Sequence, residues 1–174
     1  MLKSENVGLA PLTLADSSIM WQWINDREEV IFNSAYKPVN ESQHNAWFEA
    51  IQQRRDVVIF GIRLIEADRL IGTCQLHGIN TVHRSAELQI RLTADDRGKG
   101  YGTEAVQLLL QFGFIDLNLY RIYLHVFENN SRAIAVYEKT GFVREGTLRQ
   151  AAYVSGAYTN VVVMGVLRED YDGL

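Results

Sequence analysis

The sequence predicts a mixed α/β domain whose strands are mostly antiparallel around one parallel pair. Three observations carry this. Residues 86–92 and 121–127 alternate apolar and polar with a period of two, as half-buried strands do. Between them, Ala105, Leu108, Leu109 and Phe112 recur at i, i+3, i+4 and i+7, as on an amphipathic helix. The resulting strand–helix–strand step makes its two strands parallel, with a right-handed crossover. No linker, repeat or low-complexity tract interrupts the chain, so residues 1–174 are expected to form one domain.

The elements follow in order. "VGLAPLTL" reads as a short first strand, with Pro11 marking an edge or an irregularity. Asp16 or Ser17 then caps a helix reaching about Val30. Asn40, with Gln43 three residues on, caps a second helix. "VVIFGIRL" and "LIGTCQLHGI" flank the turn-like "EADR" and form a hairpin. The next strand puts Leu88, Ile90 and Leu92 on one face and Glu87, Gln89 and Arg91 on the other. A helix opens near Tyr101. The strand at 121–127 sets Ile122, Leu124 and Val126 against Tyr123, His125 and Phe127. "NNSRAIAVYEKTGF" is a helix starting at Asn130 or Ser131 and stopped by Gly141, a typical residue just past a helix end. "FVREGTLRQAAYV" and "YTNVVVMGVL" close the chain as strands. This makes about seven strands and four helices, in a mixed rather than a doubly wound arrangement.

Composition narrows the function. A net charge of −4 argues against a general nucleic-acid binder. The single cysteine, Cys74, sits in the apolar run "RLIGTCQL" and reads as a small core residue. His44, His77, His83 and His125 occur at no recognised ligand spacing, so no metal is expected. The start of the chain has no apolar signal core, and no run approaches the ~20 apolar residues of a membrane span. A cytoplasmic location without a membrane partner is the expectation.

The chemistry concentrates in "RGKGYG", residues 97–102, between a strand end and a helix start. Helix-start N–H groups lack partners, and the helix dipole adds partial positive charge. Gly98, Gly100 and Gly102 let an anion approach the backbone, and Arg97 and Lys99 add full charges. The spacing fits neither a P-loop nor the G-x-G-x-x-G dinucleotide fingerprint. The hexapeptide alone is equally a glycine-rich turn with solvated charges.

Two motifs in register resolve it. "RGKGYG" resembles the Arg/Gln-x-x-Gly-x-Gly/Ala pyrophosphate motif of the GNAT acetyltransferase superfamily. "NNSRAIAVYEKTGF" resembles its second signature at Asn130, Ala133, Tyr137, Gly141 and Phe142. The resemblance covers about residues 7–167 and is nearest the ribosomal-protein, polyamine and amino-sugar branch. It implies a GNAT fold whose two central parallel strands splay apart, and acetyl-CoA as cosubstrate. It implies that Arg97, Gly98, Lys99, Gly100, Tyr101 and Gly102 hold the pyrophosphate and that Ile90, Arg91 and Leu92 pair with the pantetheine arm. Asn130, Ala133, Tyr137 and Lys139 line the other side. Tyr137 is the implied general acid to the departing thiolate. With a free phenol near 10 and a thiol near 8.5, full proton transfer is uphill by about 2 kcal/mol. Glu87, on the polar face of the strand before the turn, is the candidate base, directly or through water, or else an ion-paired surface acid. A homodimer is common in such families.

The acceptor is less legible. Aromatic and polar residues of the N-terminal helices, Trp21, Asn25, Arg27, Tyr36 and Trp47, suit a small polar amine or a peptide N-terminus. Core packing explains many of them equally well. Tyr153 and Tyr158 are further candidates. No acid lies between Asp68 and Glu87, which argues against a polycation pocket, leaving Glu28, Glu29 and Glu41 unplaced. An amino sugar, an amino acid or a protein N-terminus ranks first. A polyamine, or a non-catalytic acyl-CoA sensor, is the alternative.

Overall fold

In the computed structural model, which describes residues 1–31 and 34–171, the alternating segments form one eight-stranded sheet. Its strands are β1 (Leu2–Lys3), β2 (Val7–Ala10), β3 (Val57–Leu64), β4 (Leu70–Asn80), β5 (Ser85–Leu92), β6 (Arg121–Phe127), β7 (Val143–Val154) and β8 (Ala157–Leu167). They lie in the order β1-β2-β3-β4-β5-β6-β8-β7. Every neighbouring pair is antiparallel except β5 and β6. The helices are α1 (Leu14–Asn25), α2 (Arg27–Val30), α3 (Glu41–Gln53), α4 (Tyr101–Gln111) and α5 (Ser131–Lys139). A π-helical turn, Phe112–Asp116, extends α4.

Two differences from the sequence expectation have physical causes. The eighth strand is β1, whose two residues are too few to show a period. The first predicted helix is two helices. Its cap is Thr13, and Asp16 is the third residue of a capping box that accepts the Thr13 N–H at 2.7 Å. At Asp26 the backbone turns extended, and the Asp26 carboxylate accepts the Glu28 N–H at 2.9 Å to start α2. Asn40 caps α3 in a box with Gln43, as predicted.

The layers follow from alternation. Leu76, Leu88, Ile122 and Leu124 are fully buried on one sheet face against Ala105 and Leu109 of α4 and against α5. Arg63 shares the opposite face with Gly61, Thr73 and Arg91, and therefore with Glu87. Buried Asp16 of α1 accepts from Arg63 at 2.5 Å, so α1 covers that second face. His44 of α3 bonds the Ser17 carbonyl at 2.9 Å, and its burial pulls the imidazole below its usual range. It ties α3 to α1 rather than facing a ligand. Cys74 is buried, as expected. Among the described residues, no helix is long and apolar enough to cross a membrane.

Candidate active site

The parallel pair is a fork. β5 and β6 pair only at Ser85↔Arg121, Ala86↔Ile122 and Glu87↔Tyr123. Beyond Glu87, β5 keeps β4 as its partner and β6 keeps β8. The edge of β5 at 88–92 that faces the fork therefore offers backbone groups to another chain-like ligand. A cavity of about 660 Å³ opens there, within the range of cofactor sites.

Its lining gathers most of the predicted cofactor residues: Ile90, Arg91, Leu92, Arg97, Gly98, Gly100, Gly102, Asn130, Ala133, Tyr137 and Lys139. Lys99 and Tyr101 lie off it. Lys99 turns to Asp96 at 3.5 Å, and Tyr101 packs against the core. Thr103, Asn129, Ser131, Arg132, Ala135 and Val136 also line the cavity, and sequence reasoning did not single them out. They neighbour the motif positions at the start of α4 and before and along α5, which was the available signal.

The turn before α4 has the glycine geometry that the motif required. Gly98 (φ 79°) and Gly100 (φ 88°) adopt left-handed backbone, and a Cβ built on either meets nothing within 4 Å. Gly100 is the N-cap of α4 and brings no side chain to that end. An anion can therefore reach the first N–H groups of α4. Asp96 fastens the turn. It is 1% exposed, accepts two hydrogen bonds from Arg69 at 2.8 and 2.9 Å, and accepts the Thr93 hydroxyl at 2.8 Å. The Arg69 bonds hold its carboxyl down at about 2. A carboxyl lowered from 3.8 stabilises the fold above the unfolded value, and that stability is lost as pH falls through the folded one. Its size is at most roughly 2 kcal/mol, less because Arg69 is half exposed. Thermal unfolding of Asp96→Asn is expected to show a lower Tm at pH 7 and a flatter acid slope between about pH 4 and 2 than the parent protein. Identical acid slopes would remove Asp96 as the anchor.

Arg97 is spent differently from expectation. Its Nε donates to the Leu92 carbonyl at 2.9 Å and its Nη2 to Glu29 of α2 at 2.5 Å. Glu29 also accepts the Ala94 N–H at 2.8 Å. Arg97 thus braces the turn against α2 as half of a neutral pair. Besides Arg132 and Lys139, the cavity gains the cation of Arg91, whose side chain makes no hydrogen bond among the described residues. Burial pulls its guanidinium down against the Glu29 charge.

Tyr137 reaches the cavity from the core face. It is 7% exposed, packs edge-on against Phe142 at 5.7 Å, and its hydroxyl makes no hydrogen bond among the described residues. Burial pushes its phenol up to about 12. The Asn130 Oδ1 accepts the Ala133 N–H at 3.2 Å and starts α5. Glu87 does not line the cavity. It stands at the vertex of the fork on the other face, with its Oε1 2.8 Å from the His125 Nδ1 and its Oε2 3.7 Å from the His77 Nε2. Tyr137 and Glu87 thus approach the fork from opposite faces of the sheet.

The acceptor candidates divide. Trp21, Asn25 and Arg27 line a second cavity of about 750 Å³ with Asp26 and Glu41. However, the Trp21 indole and the Asn25 amide are bonded to Val39 backbone at 2.8–3.0 Å, so they pin the loop before α3. Trp47 stacks obliquely on His44, and Tyr36 is part-exposed apart from either cavity. Tyr153 and Tyr158 pair with each other near the β7–β8 turn. Among the described residues no cluster could hold a metal ion.

Residues 6–143 match the family described as acetyltransferase (GNAT) domain. A spermidine N(1)-acetyltransferase of Vibrio cholerae is 41% identical over 102 residues, which are 59% of this chain and 59% of that protein. The chain thus spans under two thirds of that relative's length. An uncharacterized N-acetyltransferase, p20, of Bacillus licheniformis is 30% identical across 99% of this chain and 98% of its own. Among solved structures, the Vibrio cholerae spermidine N-acetyltransferase in complex with CoA and spermine superposes with a TM-score of 0.89 at 30% identity, covering 95% of this chain and 97% of that one.

Proposed function

The chain belongs to the GNAT acetyltransferase family, and from that premise we propose that it transfers the acetyl group of acetyl-CoA to a primary amine. The acceptor is a small molecule (an amino sugar or an amino acid) or a protein N-terminus, attacking directly in a ternary complex. Residues 1–174 act as one acetyltransferase domain. The observation that carries this is the fork: an unpaired β5 edge, a glycine turn and a buried phenol share one cavity.

The residues fit such a cosubstrate. The open space over Gly98 and Gly100 admits a diphosphate to the start of α4. Arg91, Arg132 and Lys139 supply positive charge around it. The β5 edge takes the amide-bearing arm as a strand takes a neighbour. When bound, acetyl-CoA contributes the activated acyl carbon and a thiol leaving group. Tyr137 donates a hydrogen bond toward the departing sulfur. Glu87 takes a proton from the amine. For a lysine-like amine near 10.4, deprotonation at pH 7 costs about 4.6 kcal/mol; for an α-amine near 8 it costs about 1.4 kcal/mol.

A polyamine acceptor is the second reading, favoured by the likeness to the spermidine-acetylating relatives. Against it, Glu29 is tied to Arg97, and the carboxylate at the fork stands between two imidazoles. Thiol release from acetyl-CoA is expected with at least one member of a panel of amino sugars, amino acids, N-terminal peptides and spermidine. Release with spermidine alone selects the second reading. Tight CoA binding with no release for any amine makes the protein a sensor and overturns both.

A further inference from the structure

We propose that His125 is the partner through which Glu87 is positioned and cleared of the proton that each acetyl transfer leaves behind, with His77 steadying the second carboxylate oxygen. The proposal rests on the acetyl-transfer reading above.

Three strands converge on one carboxylate. Register sets His77 of β4 directly beside Glu87 of β5. Glu87 is also the last β5 residue paired with β6, through Tyr123. His125 lies two residues further along β6, where the strands have already parted. Its 2.8 Å bond to Glu87 Oε1 therefore spans the opening of the fork at the level of the side chains. The His77 Nε2 is buried, has no hydrogen-bond partner among the described residues, and has Glu87 Oε2 3.7 Å away. One oxygen is thus held and the other flanked, which fixes the carboxylate at the vertex. Other ionisable groups stand nearby. Tyr123 sits edge-on to His125 at 6.0 Å, Arg121 lies over the Tyr123 ring and is paired with Glu145, and Asp56 lies near His77. The β8 residue facing His125 is Val163, which carries no charge.

Proton balance requires an exit. The acceptor arrives as an ammonium with three N–H bonds. One proton passes to Glu87; the freed nitrogen pair forms the N–C bond to the acetyl carbon, and the C–S bond breaks. A second proton ends on sulfur as the thiol, and the amide keeps the third. Nothing is oxidised or reduced, and one proton per turnover leaves for solvent. The Glu87 side chain is 19% exposed and that of His125 39% exposed, so the imidazole is the wetter half of the pair. The pair passes from carboxylic acid and imidazole to carboxylate and imidazolium, and the imidazolium gives its proton to water.

The test uses the full chain, acetyl-CoA and whichever panel amine turns over. His125→Ala is expected to lower kcat roughly 10²-fold, at the low end of acid–base effects, with KM for acetyl-CoA unchanged and activity partly restored by added imidazole. His125→Asn keeps a hydrogen-bond donor but cannot take up and release a proton, and is expected to be as slow as His125→Ala at an unchanged Tm. Adding either change to Glu87→Gln is expected to cost little more, because both act on one path. Wild-type kcat in His125→Asn, or failure of imidazole to restore His125→Ala, overturns the relay while leaving acetyl transfer intact. If the parent protein releases no thiol with any amine, acetyl transfer itself is what fails, and the relay falls with it.

Discussion

Tyr137→Phe is expected to lower kcat for acetyl transfer by roughly 10²–10⁴-fold while the affinity for CoA, read by calorimetry, stays where it was. The substitution is clean because of how Tyr137 is held. Its ring packs against Phe142 in the core cluster, and phenylalanine keeps that packing. Its hydroxyl has no hydrogen-bond partner among the described residues, so its removal orphans nothing. The structure also sharpens the chemistry. With the phenol pushed up to about 12 and a thiol near 8.5, handing over the proton outright would cost about 5 kcal/mol. Tyr137 therefore acts as a donor whose hydrogen bond tightens as charge grows on sulfur. Alkaline unfolding supplies the control. The unfolded phenol ionises near 10 and the folded one near 12, so Tyr137 contributes stability that is complete below pH 10 and lost as pH rises through 12. Tyr137→Phe is expected to flatten that loss. An unaltered kcat would take Tyr137 out of the reaction.

The sequence carried local information well and long-range information poorly. The start of α5 at Asn130, the α3 capping box and the alternation of β5 each depend on residues within one turn or one pleat, and each was legible. So was the pairing of the glycine turn with Tyr137, because family spacing encodes one crossover. What escaped depends on partners distant in the chain. Nothing local shows that Arg97 would be met by Glu29, 68 positions earlier, and so brace α2 instead of standing free. Trp21 and Asn25 look like ligand groups until the Val39 loop takes their polar atoms. His77 and His125 show no ligand spacing, because strand register and not sequence distance brings both to Glu87. The break at Asp26 was hidden for the opposite reason, since Asp is a helix cap as readily as a helix-surface residue.

Gly102→Asp is expected to weaken acetyl-CoA binding by about a hundredfold or more without disturbing the fold. Gly102 is the second residue of α4, and its φ lies outside the left-handed region, so a side chain meets no backbone strain there. An added Cβ would touch only Leu92 Cδ1 at 3.4 Å, close to an ordinary contact. An acid in the first turn of a helix favours the dipole, and Glu104 already stands in that turn. The Tm of the free protein is therefore expected to hold or rise slightly. Gly100→Ala is the poorer probe, because at φ 88° it confounds lost binding with backbone strain of about 1–2 kcal/mol. In the cavity, the new carboxylate stands where an incoming diphosphate would meet the helix start. Like-charge juxtaposition costs several kcal/mol, which is a loss of about a hundredfold or more in affinity. KM for acetyl-CoA rises by that factor, kcat at saturation stays near the parent value, and CoA no longer raises Tm, because stabilisation by a ligand scales with its occupancy. These three readouts separate a phosphate seat from a structural glycine, since a structural glycine would lower Tm in the absence of any ligand. Parental CoA affinity in Gly102→Asp would place the diphosphate away from the start of α4, and the orientation of the whole cosubstrate in the fork would have to be reversed.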